Sequence, residues 1–121
     1  MIPAGPATRV FLVTGATDMR KGFDGLFGIV SRQIGQDPLS GHVFVFCNRS
    51  RDRIKLLFWD GSGLWLCTKR LERGRFSWDW PAAGEAPVSL GHEQLAMLLG
   101  GLDPGGARVK RWYRSGDGCA A

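Results

Sequence analysis

Arginine and lysine are the residues of this chain best placed to do chemistry, and the chemistry they suit is the capture of anions. From Arg49 to Arg75 the segment RSRDRIKLLFWDGSGLWLCTKRLERGR holds eight Lys/Arg and three Asp/Glu; the surplus, 8 − 3 = 5, equals the net charge of +5 of all 121 residues. Arg49, Arg51 and Arg53 precede one apolar run, Ile54–Trp59, while Lys69, Arg70, Arg73 and Arg75 follow a second, Leu64–Thr68. Asp60-Gly61-Ser62-Gly63 joins the runs, a hairpin signal because glycine reaches the positive φ that tight turns require. Val43–Phe46 reads as a further strand that enters a basic turn at Asn48–Asp52. In an up-down-up meander, the turn before the middle strand and the turn after the last lie at the same end of the sheet. All seven cations are therefore expected on one rim, offset by Asp52 and Glu72, with Asp60–Gly63 at the far end. If Trp59 opposes Leu64, then Leu56 opposes Cys67 and Arg53 opposes Arg70. Like charges directly opposed are destabilising. They can splay into solvent, or a polyanion can neutralise them, and a charge cluster of this kind is a footprint of nucleic-acid binding.

The residues used for catalysis elsewhere have plainer uses here. Asp18 reads as a helix cap, Asp60 as a turn residue, Asp52 as a loop residue among arginines, and Asp37 precedes a proline. Asp18 and Asp24, six apart on a helix, point to different sides. His42 and His92 have no nucleophile beside them. Cys47, Cys67 and Cys119 form no CxxC pair and, being odd in number, make a poor disulfide framework. With two histidines they offer no zinc spacing, and Cys47 and Cys67 read as buried strand residues. Gly15–Gly22 lacks the order of a phosphate-binding loop, and metal-dependent strand transfer needs carboxylates converging on two ions. The chain is thus read as a non-enzyme with no cofactor and no metal. It has no segment with the length and purity of a membrane span, and Met1–Pro6 lacks a signal peptide's regions. A cytoplasmic, reduced protein is expected.

Positioning these residues requires a folded core, which 44% hydrophobic residues and five tryptophans can supply as one domain. Arg9–Thr14 reads as a strand. Thr17 or Asp18 then caps a long helix with an apolar stripe of Met19, Phe23, Leu26, Phe27, Val30 and Ile34, ended by Gly35 and Asp37-Pro38. Gly22, Gly25 and Gly28 within it mean either close packing on the sheet, the reading preferred, or glycines that tertiary packing tolerates. Arg20 and Lys21 fall in its first turn, where the dipole disfavours cations, so the pair reads either as a phosphate site or as two side chains extended into water with Asp18 satisfying the dipole. If Arg9–Thr14 runs parallel to Val43–Phe46, the helix is a crossover that brings Arg20 and Lys21 to the rim; if antiparallel, they lie apart from it. Phe76–Trp80 reads as a fourth meander strand stopped by Pro81, with Trp78 and Trp80 on one side of it, either in the core or as a base-stacking platform. Val88–Leu90 reads as a short strand or an extended entry, and Gly91 caps a short C-terminal helix bearing Leu95, Leu98, Leu99 and Leu102. The expected fold is α+β: a mostly antiparallel sheet built on a three- to four-stranded meander, with one long and one short helix. Residues 1–107 form the domain. Residues 108–121 form an extension whose Arg108, Lys110, Arg111 and Arg114 surround Trp112 and Tyr113, followed by a flexible tail. Both hairpin faces carry apolar residues, so either helices cover both or one meets a partner.

Several blocks, in order, resemble a known family. They are Met1-Ile2-Pro3; Thr17-Asp18-Met19-Arg20-Lys21-Gly22-Phe23-Asp24-Gly25-Leu26; Gly41–Phe46; Asp52–Gly61; Lys69–Phe76; Gln94-Leu95; and Leu98–Asp103. The chain resembles, nearly end to end, the small accessory protein encoded by the second reading frame of bacterial insertion sequences of the sixty-six family, also called transposase B. Gly91, where the family often has Thr, and Trp78-Asp79-Trp80-Pro81 depart slightly from its pattern. The resemblance implies a role in transposition beside a separate, larger transposase and another small accessory protein. Two mechanisms follow: a basic rim that holds the DNA of the element, or an apolar sheet face that binds the transposase as an adaptor.

Overall fold

The computed structural model describes residues 8–100 apart from Asp79 and Ala83. Five strands, β1 (Val10–Leu12), β2 (Val43–Cys47), β3 (Arg53–Trp59), β4 (Leu64–Arg70) and β5 (Val88–Leu90), form one sheet in the order β4-β3-β2-β1-β5. Only β1 and β2 are parallel; the other neighbours are antiparallel. This is the expected α+β class. The hairpin register is also the expected one, with Trp59 opposite Leu64, Leu56 opposite Cys67 and Arg53 opposite Arg70.

All five residues of β2, Val-Phe-Val-Phe-Cys, are buried without alternation, because the sheet is covered on both faces. On one side Val10, Leu12, Val43, Val45, Ile54, Leu56 and Phe58 pack with Leu71, Phe76, Leu95 and Leu98. On the other Val13, Phe44, Phe46 and Leu57 pack with Leu26 and Val30. Helices cover both faces, so neither is left as a broad apolar surface.

The crossover between β1 and β2 carries α1 (Phe23–Gly28), which runs directly into a π-helical stretch, Ile29–Ile34. The two total 6 + 6 = 12 residues, so the expected long helix is short and starts late. Asp18 does not cap it. Its Oδ1 accepts the Arg20 N–H at 2.9 Å while its carbonyl accepts the Lys21 N–H at 3.1 Å, a local Asx turn that competes with helix. The helix starts instead at Gly22, which has no capping side chain, and ends at Gly35 with φ 75°. Leu26 and Val30 form its buried face, whereas Phe23 is 47% exposed.

The glycines are not pressed against the sheet. A Cβ on Gly22 would meet nothing within 4 Å, one on Gly25 would meet Lys21, and one on Gly28 would meet the Arg32 guanidinium.

The expected strand at Phe76–Trp80 does not form. The Phe76 N–H donates to the Arg51 carbonyl at 2.7 Å and the Trp80 indole turns back to the Phe76 carbonyl at 3.4 Å. Those groups are therefore used in a loop that folds Phe76, Trp78 and Trp80 onto the core. The sheet gains its extra strand on the opposite edge, where β5 pairs with β1. After it comes α2 (His92–Leu99), where Gln94 accepts the N–H of the Gly91 cap at 2.9 Å. Leu102 and the extension 108–121, with Arg108, Lys110, Arg111 and Arg114, lie outside the described residues. No helix among the described residues is long and apolar enough to cross a membrane.

Candidate nucleic-acid interface

Asn48 organises the first basic turn. Its side-chain oxygen accepts the N–H groups of Asp52 and Arg53, both at 3.1 Å, and its amide donates to the Asp52 carboxylate at 2.7 Å. That turn is stitched to the second by Leu71 N–H to the Asp52 carbonyl (2.8 Å) and Phe76 N–H to the Arg51 carbonyl. Residues 49–53 and 69–75 therefore share one end of the sheet. Asp60–Gly63 closes the β3–β4 hairpin, at the other end. A seven-residue strand spans about 24 Å, so the polarity is unambiguous.

The seven rim cations are not equivalent. Arg49, Arg53, Arg70, Arg73 and Arg75 are exposed. Among them Arg70 alone meets a described carboxylate, Glu72, at a long 3.5 Å. Arg53 and Arg70 stand opposite each other in a pair that the Leu71–Asp52 bond next to it marks as non-hydrogen-bonded. Cα atoms of such pairs are only about 4.5 Å apart. Arg51 is half-buried, has φ 63°, and lies 4.8 Å from the Trp80 ring centroid. Lys69 donates to the Leu99 carbonyl at 2.6 Å, satisfying the C-terminal end of α2. Five guanidinium groups thus remain turned to solvent, while Arg51 and Lys69 also serve the fold.

Arg20 and Lys21 do reach this end. β1 is parallel to β2, and the Thr17 N–H donates to the Cys47 carbonyl at 2.8 Å, directly before the Asn48 turn. They are not in a helical first turn, however, because α1 begins at Phe23. Arg20 is clasped by Asp18, with contacts of 2.7–3.1 Å, and the Arg20 guanidinium holds that carboxyl well below the usual carboxylate range. The helix-terminus geometry read from the sequence is accordingly not what surrounds Arg20 and Lys21. Lys55, a lone cation inside an apolar strand, has the role that the sequence reading missed. Its ammonium donates to the Met19 and Lys21 carbonyls at 2.8 and 2.9 Å and ties the loop to the sheet. Its position amid Ile-Lys-Leu-Leu-Phe-Trp was the available signal.

Cys47 and His42 are held by the fold. Burial pushes the Cys47 thiol up, against the opposing pull of Arg51. His42 Nδ1 accepts the Arg9 N–H at 3.0 Å with its ring edge-on to Phe11. A cleft of about 700 Å³ opens between Val13–Asp18, Gln33 and the 84–87 loop. Its carboxylates are engaged by Arg20 and by the Ala82 N–H. No group of three or more potential metal ligands occurs among the described residues.

Comparison with known proteins places this polarised sheet. The family model described as IS66 Orf2 like protein matches residues 8–109. The chain belongs to the IS66 Orf2-like family. It is 44% identical over 103 residues to the uncharacterized protein y4hO of Sinorhizobium fredii, covering 85% of this chain and 88% of that one. It is 36% identical over 111 residues to the uncharacterized protein y4jC of the same organism, covering 92% of each. No solved structure matches. Membership of the IS66 Orf2-like family supports an accessory role in insertion-sequence transposition.

Proposed function

We propose that this IS66 Orf2-like protein is a non-catalytic accessory factor that binds the DNA of its element through the basic rim. The observation that carries the reading is the Arg53–Arg70 opposition. An antiparallel pair of like charges costs stability, and neither Asp52, engaged by Asn48, nor Glu72, at 3.5 Å from Arg70, neutralises both. Phosphates on a duplex would. Arginines on turns reach phosphate oxygens more readily than base edges, so binding is mainly electrostatic and weakly sequence-selective. The flanking loop with Arg20 and Lys21, and the cations Arg108, Lys110, Arg111 and Arg114, extend the same charge along the chain.

The partners of this reading are element DNA, the separate transposase and another small accessory protein, in the bacterial cytoplasm. An adaptor that docks the transposase on an apolar sheet face has less support, because α1 and α2 already pack on the two faces. The test is affinity for terminal-repeat and unrelated duplexes over a salt series. For about five phosphate contacts, log affinity falls against log salt with a slope near −4.5. Absence of binding to either duplex at low salt would reject the rim as a DNA site, and salt-tolerant association with the transposase would restore the adaptor.

A further inference from the structure

Strand β4 forms one edge of the sheet and runs for seven residues in continuous register with β3. An edge of that length without a partner among the described residues is a template for another strand, and proteins blunt such edges with proline, bulges or charged side chains. Leu64–Thr68 has none of these, and the charges of β4, Lys69 and Arg70, stand at its last two positions. The ladder also shows which amides are free. Bonds from Asp60 N–H to Gly63 (3.1 Å) and from Leu71 N–H to Asp52 (2.8 Å) mark its two ends. Because antiparallel ladders alternate, Trp65, Cys67 and Lys69 bond inward to β3. Leu64, Leu66, Thr68 and Arg70 direct their N–H and C=O groups outward, without a partner among the described residues.

The geometry points to a second copy of this chain as the occupant, with the two β4 strands antiparallel about a two-fold axis at Cys67. In that register Leu64 pairs with Arg70 of the other copy and Leu66 with Thr68, so every outward amide of both strands is used. Such an isologous contact is the usual form of a closed dimer. The polarity of the sheet is self-matching in this arrangement. Antiparallel strands bring the cationic end of each copy to the Asp60 turn of the other and keep the two cationic ends apart, whereas parallel strands would superpose them. Asp60 is already an anion there, accepting the Trp65 indole N–H at 2.7 Å. Trp65, 50% exposed, would stand opposite Lys69 of the second copy, its ring against the aliphatic stem while the ammonium keeps the Leu99 carbonyl. An extended segment of an unrelated protein would satisfy the same amides but has no reason to match this polarity. Resting on the DNA reading of the rim, the dimer would carry two rims at opposite ends of one continuous sheet and hold two duplex segments.

The test uses the full chain without nucleic acid, so it is separate from the fate of the rim as a DNA site. Sedimentation should give twice the mass of the chain. In a Cys119→Ser background, oxidation by copper phenanthroline in air should link the two copies through Cys67, since Cys47 is buried. Two thiols lose their protons and electrons to oxygen as the disulfide forms. Thr68→Pro should lose the dimer, because the Thr68 N–H faces outward and its removal takes nothing from the β3–β4 ladder. Circular dichroism checks its fold, and should this variant unfold, the Cys67 cross-link alone decides. A protein that stays monomeric, a dimer that survives a folded Thr68→Pro variant, or one that leaves Cys67 unlinked would overturn the proposal.

Discussion

Arg51 combines backbone strain and packing in one residue. Its φ of 63° is the one positive value at a non-glycine position among the described residues; for an L-residue that conformation costs roughly 1–2 kcal/mol. Its carbonyl holds Phe76 and its guanidinium covers Trp80. Arg51→Gly relieves the strain and forfeits a stacking contact of about 0.5–1 kcal/mol, so its urea midpoint should stay close to that of the wild type. Arg51→Val keeps the strain, worsens it by β-branching and loses the stack, and should destabilise by about 2 kcal/mol. Asp60 supplies a pH signature at the other end of the sheet. Hydrogen bonds from the Trp65 indole, then from the Ser62 and Gly63 amides, hold its carboxyl down at about 2, below the ordinary 3.8. A folded-state value below the unfolded one means that its stabilisation is complete above about pH 4 and is lost as pH falls towards 2. Unfolding midpoints should therefore drop across that window. Asp60→Asn should flatten the Asp60 share of the drop, leaving the part due to Asp18, which shifts in the same direction. Trp65 fluorescence offers a local readout.

At the scale of elements, the crossover decides what the glycines mean. Gly28 has helical angles, φ −62° and ψ −38°, and the space beside it holds the Arg32 guanidinium, the movable end of an exposed side chain. Helix glycines give up about 0.5–1 kcal/mol relative to alanine. Gly28→Ala should accordingly raise stability by about that amount in chemical denaturation. A loss of similar size would mean that the helix does need glycine against the sheet. The same crossover shows how a short side chain redirects a helix: Asp18 takes its own downstream amide, and α1 waits for Gly22. The hairpin behaves differently. Two apolar runs joined by a four-residue turn pair outward from the turn, whose length fixes the register, and the observed register has Trp59 opposite Leu64 as that requires.

For the whole molecule the decisive quantity is the separation of charge along the sheet. Replacing Arg53 and Arg70 together by alanine removes the opposed pair, so stability should hold or rise by up to about 1 kcal/mol. DNA affinity should fall at the same time, with the salt slope shallower by about two units. A protein that becomes more stable as it loses its ligand keeps those residues for binding, in line with the usual trade between stability and function. Equal DNA affinity and an unchanged slope in the double variant would remove the rim from the interface.

The sequence by itself determined the family, the α+β class, the hairpin register and the gathering of Arg49, Arg51, Arg53, Lys69, Arg70, Arg73 and Arg75 at one end. Each follows from ordered blocks of residues or from local rules, since strand periodicity and turn geometry act over a few neighbouring positions. Tertiary structure alone decided that Phe76 bonds to Arg51 and forms no strand, that β5 extends the sheet beyond β1, and that Lys69 satisfies Leu99 thirty residues away. It also placed Arg20 in the grip of Asp18 and Lys55 beneath the loop that carries it. In every one of these cases a backbone or charged group had more than one partner within its means. Local sequence sets which groups compete, but the winner depends on which distant segment the packed core brings within hydrogen-bonding distance.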